Sequence, residues 1–124
     1  MVVYERLREL DPDEVDRLFH ALADATRRDI VERVLDREHS VSALAERYAM
    51  SFAAVQKHVA VLERAGIVAK QRRGREQLVR GDPEALARVR RLLEQYEEIW
   101  RHRAAAMAAV LDEDAALGEE GSQR

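Results

Sequence analysis

A chain of 124 residues, 47% hydrophobic and 36% charged, suits one domain with a core and a well-solvated surface. It has no cysteine, which excludes disulfides and thiolate metal sites, and no apolar run approaches the roughly 20 residues of a membrane span. The net charge of −3 argues against a polyanionic partner, but it is unevenly spread: +5 between Ser51 and Arg80 and −8 elsewhere, a basic face on an acidic body.

Val3, Leu7 and Leu10 sit at helical spacing and predict a short N-terminal helix, broken at Asp11-Pro12. The segment MVVYERLREL carries charges every few residues and no signal-peptide core, so a cytoplasmic protein is expected. Val15, Leu18, Phe19 and Leu22 form the stripe of an amphipathic helix. Thr26 offers the next N-cap, with Asp29 in a weak capping-box position, and Ile30, Val31, Val34 and Leu35 give that helix its apolar face. Asp36–Ser40 reads as a loop. Ser42 then caps a short helix carrying Leu44, Ala45 and Tyr48, followed by a tight turn at Ala49-Met50.

Ser51 caps a further helix whose inward set is Val55, Val59 and Leu62, and Gly66 ends it, since a left-handed residue there has no Cβ to clash. Helix, short turn, helix and stop is the layout of a helix-turn-helix. The period then changes: Ile67–Arg72 and Glu76–Arg80 predict a hairpin turning through Arg73-Gly74-Arg75. Asp82 and Pro83 open a long helix on which Leu86, Val89, Leu93, Tyr96, Trp100, Arg103, Met107 and Val110 make a heptad seam with one charged interruption. Residues Leu86, Val89, Leu93, Tyr96, Trp100 and Met107 are assigned to dimerisation; the alternative is an intramolecular core helix. Residues 1–111 are expected to form the domain, and 112–124 an acidic, disordered tail.

The outward face of the Ser51–Arg64 helix includes Phe52, Ala53, Gln56, Lys57 and Ala60. Gln56 has the amide that pairs bidentately with adenine, and Lys57 reaches guanine or a phosphate. Ala53 is small enough for close approach, and Ser51 offers its hydroxyl or helix-end amides to a phosphate. Arg72, Arg73 and Arg75 at the hairpin tip suit phosphates or a minor groove, because guanidiniums cannot be buried unpaired. For each of these residues the plain alternative is ordinary solvated surface. The residues thus predict a mainly α fold with a small β-hairpin wing and double-stranded DNA as partner. A protein-docking winged helix without DNA binding is the rival reading, and it has no need of a wing with three arginines. No hydrolase elbow, phosphate-binding glycine loop or metalloprotease motif suggests an enzyme, and no cofactor is implied.

The stretches FHALADATRRDIVERVL and SVSALAERYAMSFAAVQKHVAVLERAGIVAKQRRGREQLVR resemble the ArsR family of winged helix-turn-helix repressors, most strongly at QKHVAVLERAGIV, over roughly Phe19 to Leu93. The resemblance implies a homodimer, joined through its N- and C-terminal helices, that represses its own or a neighbouring operon and leaves the operator when a signal arrives. By that match Gln56, Lys57 and His58 take DNA-facing positions, and Arg73 and Arg75 lie on the wing. MarR-like regulators are the near neighbours, from which the shorter length and this match separate it. The family's metal-sensing cysteines are missing from SVSALAERY, and the last helix has His102 without a second His at matching spacing. His20, His39, His58 and His102 are scattered, so no metal is expected. Any inducer would be a small molecule, with Phe19, Tyr96 and Trp100 as candidate pocket residues. Ala49 stands where such turns frequently have glycine, and a positive φ there would cost on the order of 1 kcal/mol.

Overall fold

The computed structural model describes residues 11–122, with side chains through Gly118. The helix expected on Val3, Leu7 and Leu10 lies outside them. Helix α1 spans Pro12–Leu22; the Asp11 carboxylate accepts the Asp13 N–H at 3.1 Å, and Pro12 occupies the first position, where a missing N–H costs nothing. Leu18 and Ala21 are buried, whereas Phe19, expected on the apolar stripe, is 38% exposed. Helix α2 spans Ala25–Asp36. Its cap is Asp24, not Thr26: the Asp24 carboxylate accepts the Arg27 N–H at 3.0 Å, and this contact holds the carboxyl below the usual range. Ile30, Val31 and Val34 are buried, and Leu35 at the C-terminal end is 39% exposed.

The expected loop before the next helix contains a two-residue strand, β1 (His39–Ser40). A strand this short has no periodicity to read in sequence. Its pairing, and Val41 and Leu44 buried just beyond it, place the start of α3 (Val41–Ala45) at Ser40, whose hydroxyl accepts the Ala43 N–H at 3.0 Å. Ser42, the cap expected from sequence, is exposed on that helix. The turn that follows needs no left-handed alanine: among the described residues only Gly66 and Gly74 have positive φ.

Helix α4 spans Phe52–Arg64; Ser51 caps it by accepting the Ala54 N–H at 3.1 Å. Val55, Val59 and Leu62 are fully buried, as their spacing predicts. At the far end the Gly66 N–H donates to the Glu63 carbonyl at 2.9 Å and the Ile67 N–H to the Leu62 carbonyl at 3.0 Å, with Gly66 at φ +76°. This pair of bonds is the Schellman arrangement, and buried Leu62 and Ile67 supply its apolar contact.

Strands β2 (Val68–Arg73) and β3 (Glu76–Gly81) pair antiparallel in the sheet order β1-β3-β2, with Lys70 opposite Val79 and Arg73 opposite Glu76. His39 lies opposite Val79 on the other side of β3, so β1 covers an edge that would otherwise stay open. A two-residue turn, Gly74-Arg75, joins β2 to β3; φ of +63° at Gly74 with none positive at Arg75 is the type II′ pattern that suits strand twist.

Helix α5 spans Pro83–Ser122, opened by Asp82, whose carboxylate accepts the Glu84 N–H at 3.0 Å. Residues 10–90 form one compact unit, and α5 from Arg91 onward belongs to a second. In the first unit, Ala85 and Val89 join the core formed by α1–α4 and the sheet. Val89, expected on the dimerisation seam, is therefore covered by its own chain, and Leu86 is half-buried against the same core. In the second unit, α5 continues through the stretch expected to fray from Asp112. Ala115, Ala116 and Leu117 are good helix formers and no proline intervenes.

Candidate nucleic-acid interface

Helix α4 buries one face and presents the other. Ala53, Gln56 and Lys57 are exposed, and Ala60 on the same side is half-buried and small. At about 100° per residue, Lys57 and Ala53 lie nearly opposite Val55, Val59 and Leu62, while Gln56 sits toward one flank. Phe52, in the first turn, is 47% exposed. Ser51 spends its hydroxyl as acceptor on the Ala54 N–H and stays solvent-facing.

His58 differs from its two neighbours. It is half-buried on the opposite flank, where its Nδ1 lies 3.4 Å from Arg27 Nη1. Arg27 also donates from Nε to the Ala21 carbonyl and from Nη2 to the His20 carbonyl, both at 2.8 Å. One guanidinium thus satisfies two carbonyls of the last turn of α1, with Arg28 donating to the final one at Leu22, and braces α4 through His58. In sequence Arg27 has no assigned role, since its partners follow from the packing of α1 on α4.

The helix-turn-helix is held by a second long-range network. The Tyr48 hydroxyl, in the turn after α3, donates to Asp29 Oδ2 at 2.5 Å, and Arg33 Nε donates to the same oxygen at 2.8 Å. The Tyr48 bond, then the Arg33 bond, hold the Asp29 carboxyl below the usual range. Burial first, then the Asp29 carboxylate, pushes the Tyr48 phenol up to about 12. Tyr48 reads in sequence as a helix residue; its role is to tie the turn to α2.

At the wing, Arg72, Arg73 and Arg75 are all exposed. Strand alternation separates them: Arg72 shares the core-facing side of β2 with Val68 and Lys70, and Arg73 points to the other side. Arg72 Nε donates to the Gly74 carbonyl at 3.3 Å. Arg73 lies 3.6 Å from the Glu38 carboxylate, so this cation carries its own counter-charge. Lys70 lies 3.6 Å from Glu63 and joins the wing to one flank of α4. Among the described residues no group of three or more His, Asp or Glu is placed to hold a metal ion.

Of the residues assigned to dimerisation, Leu93, Tyr96, Trp100 and Met107 are 51%, 50%, 66% and 59% exposed on α5. Among the described residues no helix is long and apolar enough to cross a membrane.

Comparison with known proteins matches this architecture. Residues 22–71 match the family described as a helix-turn-helix domain. The chain is 34% identical over 99 residues to the HTH-type transcriptional regulator Rv2034 of Mycobacterium tuberculosis, covering 80% of this chain and 90% of that one. It superposes on an ArsR-like transcriptional regulator from Rhodococcus sp. RHA1 with a TM-score of 0.74 at 32% identity, covering 81% and 92% of the two chains. It also superposes on the homodimeric winged helix-turn-helix DNA-binding domain Mb0332 from Mycobacterium bovis, with a TM-score of 0.57 at 28% identity and 69% and 80% coverage. A helix-turn-helix held by Tyr48 and Asp29, a charged hairpin beside it and this set of relatives together make the chain a DNA-binding transcriptional regulator, a member of the ArsR family of winged helix-turn-helix proteins.

Proposed function

We propose that this regulator is a homodimeric repressor that lays α4 in the major groove, with Gln56 and Lys57 reading base edges and the wing arginines on adjacent phosphates. The observation that carries the reading is the division of α4. Val55, Val59 and Leu62 are fully buried. The opposite side offers the small Ala53 and the Lys57 ammonium, the adjoining flank the Gln56 amide, and no acid stands on the helix before Glu63. A groove-entering helix needs this division, because the face that docks on the domain cannot also read bases. Ser51 and Ala53 sit at the end of α4 that enters first; exposed Phe52 beside them can meet thymine methyls. His58 acts by bracing, through Arg27, more than by contact with bases. On the wing, Arg72 and Arg75 have among the described residues no carboxylate of the kind Arg73 has beside it, so they are the stronger phosphate ligands and Arg73 the weaker.

The homodimeric state of the Mycobacterium bovis domain supports the same assembly here. So does the exposed apolar row Leu93, Tyr96, Trp100 and Met107 on α5. Leu86 and Val89 are better read as core. Repression, in preference to activation, follows from the family resemblance.

Selection of bound duplexes from genomic DNA by the purified protein tests the reading. Two half-sites about one helical turn apart are expected, reflecting a twofold axis. On that site Gln56→Ala and Lys57→Ala should each weaken binding by about 1–3 kcal/mol with the fold intact. Undiminished binding by both variants would remove α4 from the groove.

A further inference from the structure

The wing flanks α4 on one side only, tied there by Lys70 and Glu63. On the other side α4 packs against α1, and between them opens a cavity of about 280 Å³ lined by Arg17, His20, Val61, Arg64 and Ala65. Three of these five side chains are basic and none is acidic. Arg17 has no hydrogen-bond or ion-pair partner among the described residues, and Arg64 donates only from Nε, to the Ala60 carbonyl at 3.4 Å. Of the acids on α1 and α2, Glu14 pairs with Arg88 at 3.0 Å and Asp24 caps α2, while Asp13 and Asp16, exposed on α1 beside Arg17, do not line the cavity. Val61 and Ala65 form an apolar wall, so an anion between the guanidiniums would be partly shielded from water.

Arg64 lies one heptad after Lys57, and a straight helix drifts only about 20° over that interval. The two cations therefore share the face of α4 turned away from the core. A helix in the major groove has a sugar-phosphate strand on each side of it, and the wing reaches one of them. We propose that Arg17, His20 and Arg64 form a cradle for a backbone phosphate of the opposite strand, so that α4 is gripped on both flanks. This rests on the groove assignment of α4 given above. The ligand chemistry is a phosphodiester oxyanion held by two guanidiniums, and a free phosphate ion is the competing source of the same chemistry.

The test measures binding of a mixed-sequence duplex as a function of salt for wild type, Arg17→Gln/Arg64→Gln and His20→Gln. Thermal unfolding checks that each folds, which is expected because all three side chains are exposed. Loss of one phosphate contact should reduce the slope of log K against log salt by about 1. A double variant that keeps the wild-type slope overturns the cradle. A parallel titration of inorganic phosphate at constant ionic strength, read on the His20 ring protons, separates the sources. Saturable phosphate binding together with an unchanged salt slope makes this a free-anion site and also overturns the proposal. If wild type binds no duplex at low ionic strength, the groove assignment itself fails, a result distinct from a change confined to the variants.

Discussion

Asp29 is a surface-bordering carboxylate that receives two donors at once, the phenol of Tyr48 and the guanidinium of Arg33. Its carboxyl is depressed in the folded chain, so the unfolded chain binds this proton more tightly in acid. The stability it contributes is complete above its ordinary value of about 4 and disappears as pH falls through the lower folded value. Tyr48 runs the other way: its contribution is complete below about pH 10 and is lost as pH rises toward the folded value of about 12. Tyr48→Phe should cost about 1 kcal/mol at neutral pH and remove part of the alkaline decline. Asp29→Asn should flatten the acid limb. Urea unfolding across the pH range measures both, and acid limbs that coincide for wild type and Asp29→Asn would refute the linkage. None of this was legible in the sequence, because the partners lie 19 positions apart and nothing local joins them. The buried trio Val55, Val59 and Leu62 was legible, since a single helical period encodes it. The core alanines Ala21 and Ala85 were not, because a small side chain carries little signal in a periodicity reading.

Elements were easier to place than their ends. Each helix described from α1 to α5 was foreseeable from apolar spacing, yet two caps fall earlier than expected, at Asp24 and Ser40, because several cap-capable residues stand close together and the packed start of the helix decides among them. Gly66 was identifiable as a stop signal, and the Schellman bonds explain its use. An added Cβ at Gly66 would meet only Arg88 Nη2, at 3.6 Å, so space is not the obstacle. Gly66→Ala should therefore cost on the order of 1 kcal/mol, purely from backbone conformation, with little change in the crystal or solution structure. Chemical denaturation gives the value, and a neutral result would mean that the loop relaxes out of the left-handed region. The hairpin was recognisable from its glycine and flanking alternation. The third strand was not, because it exists only through pairing with β3.

At the scale of the whole molecule, the homodimer proposed above rests on the solvated aromatic and aliphatic row on α5. Trp100 is 66% exposed within its own chain, which is unusual for the largest apolar side chain unless a partner covers it. Trp100→Ala should weaken the dimer, and sedimentation at micromolar concentration reads the shift toward monomer. An unchanged dimer would move the interface elsewhere. Heptad spacing made this row visible in sequence; it could not show that its first turns, at Leu86 and Val89, serve the winged domain instead. The carboxylate of Glu38 beside Arg73 has a wider bearing. Arbitrary genomic duplex offers about a million or more decoy positions for each true target, and a wing whose cation is already partly satisfied holds all of them less tightly. On the reading proposed above, the molecule sheds nonproductive encounters faster, and recognition by α4 becomes a larger share of what keeps it at its operator. Replacing Glu38 with glutamine would then raise the hold on random sequence more than on the target, trading discrimination for residence everywhere.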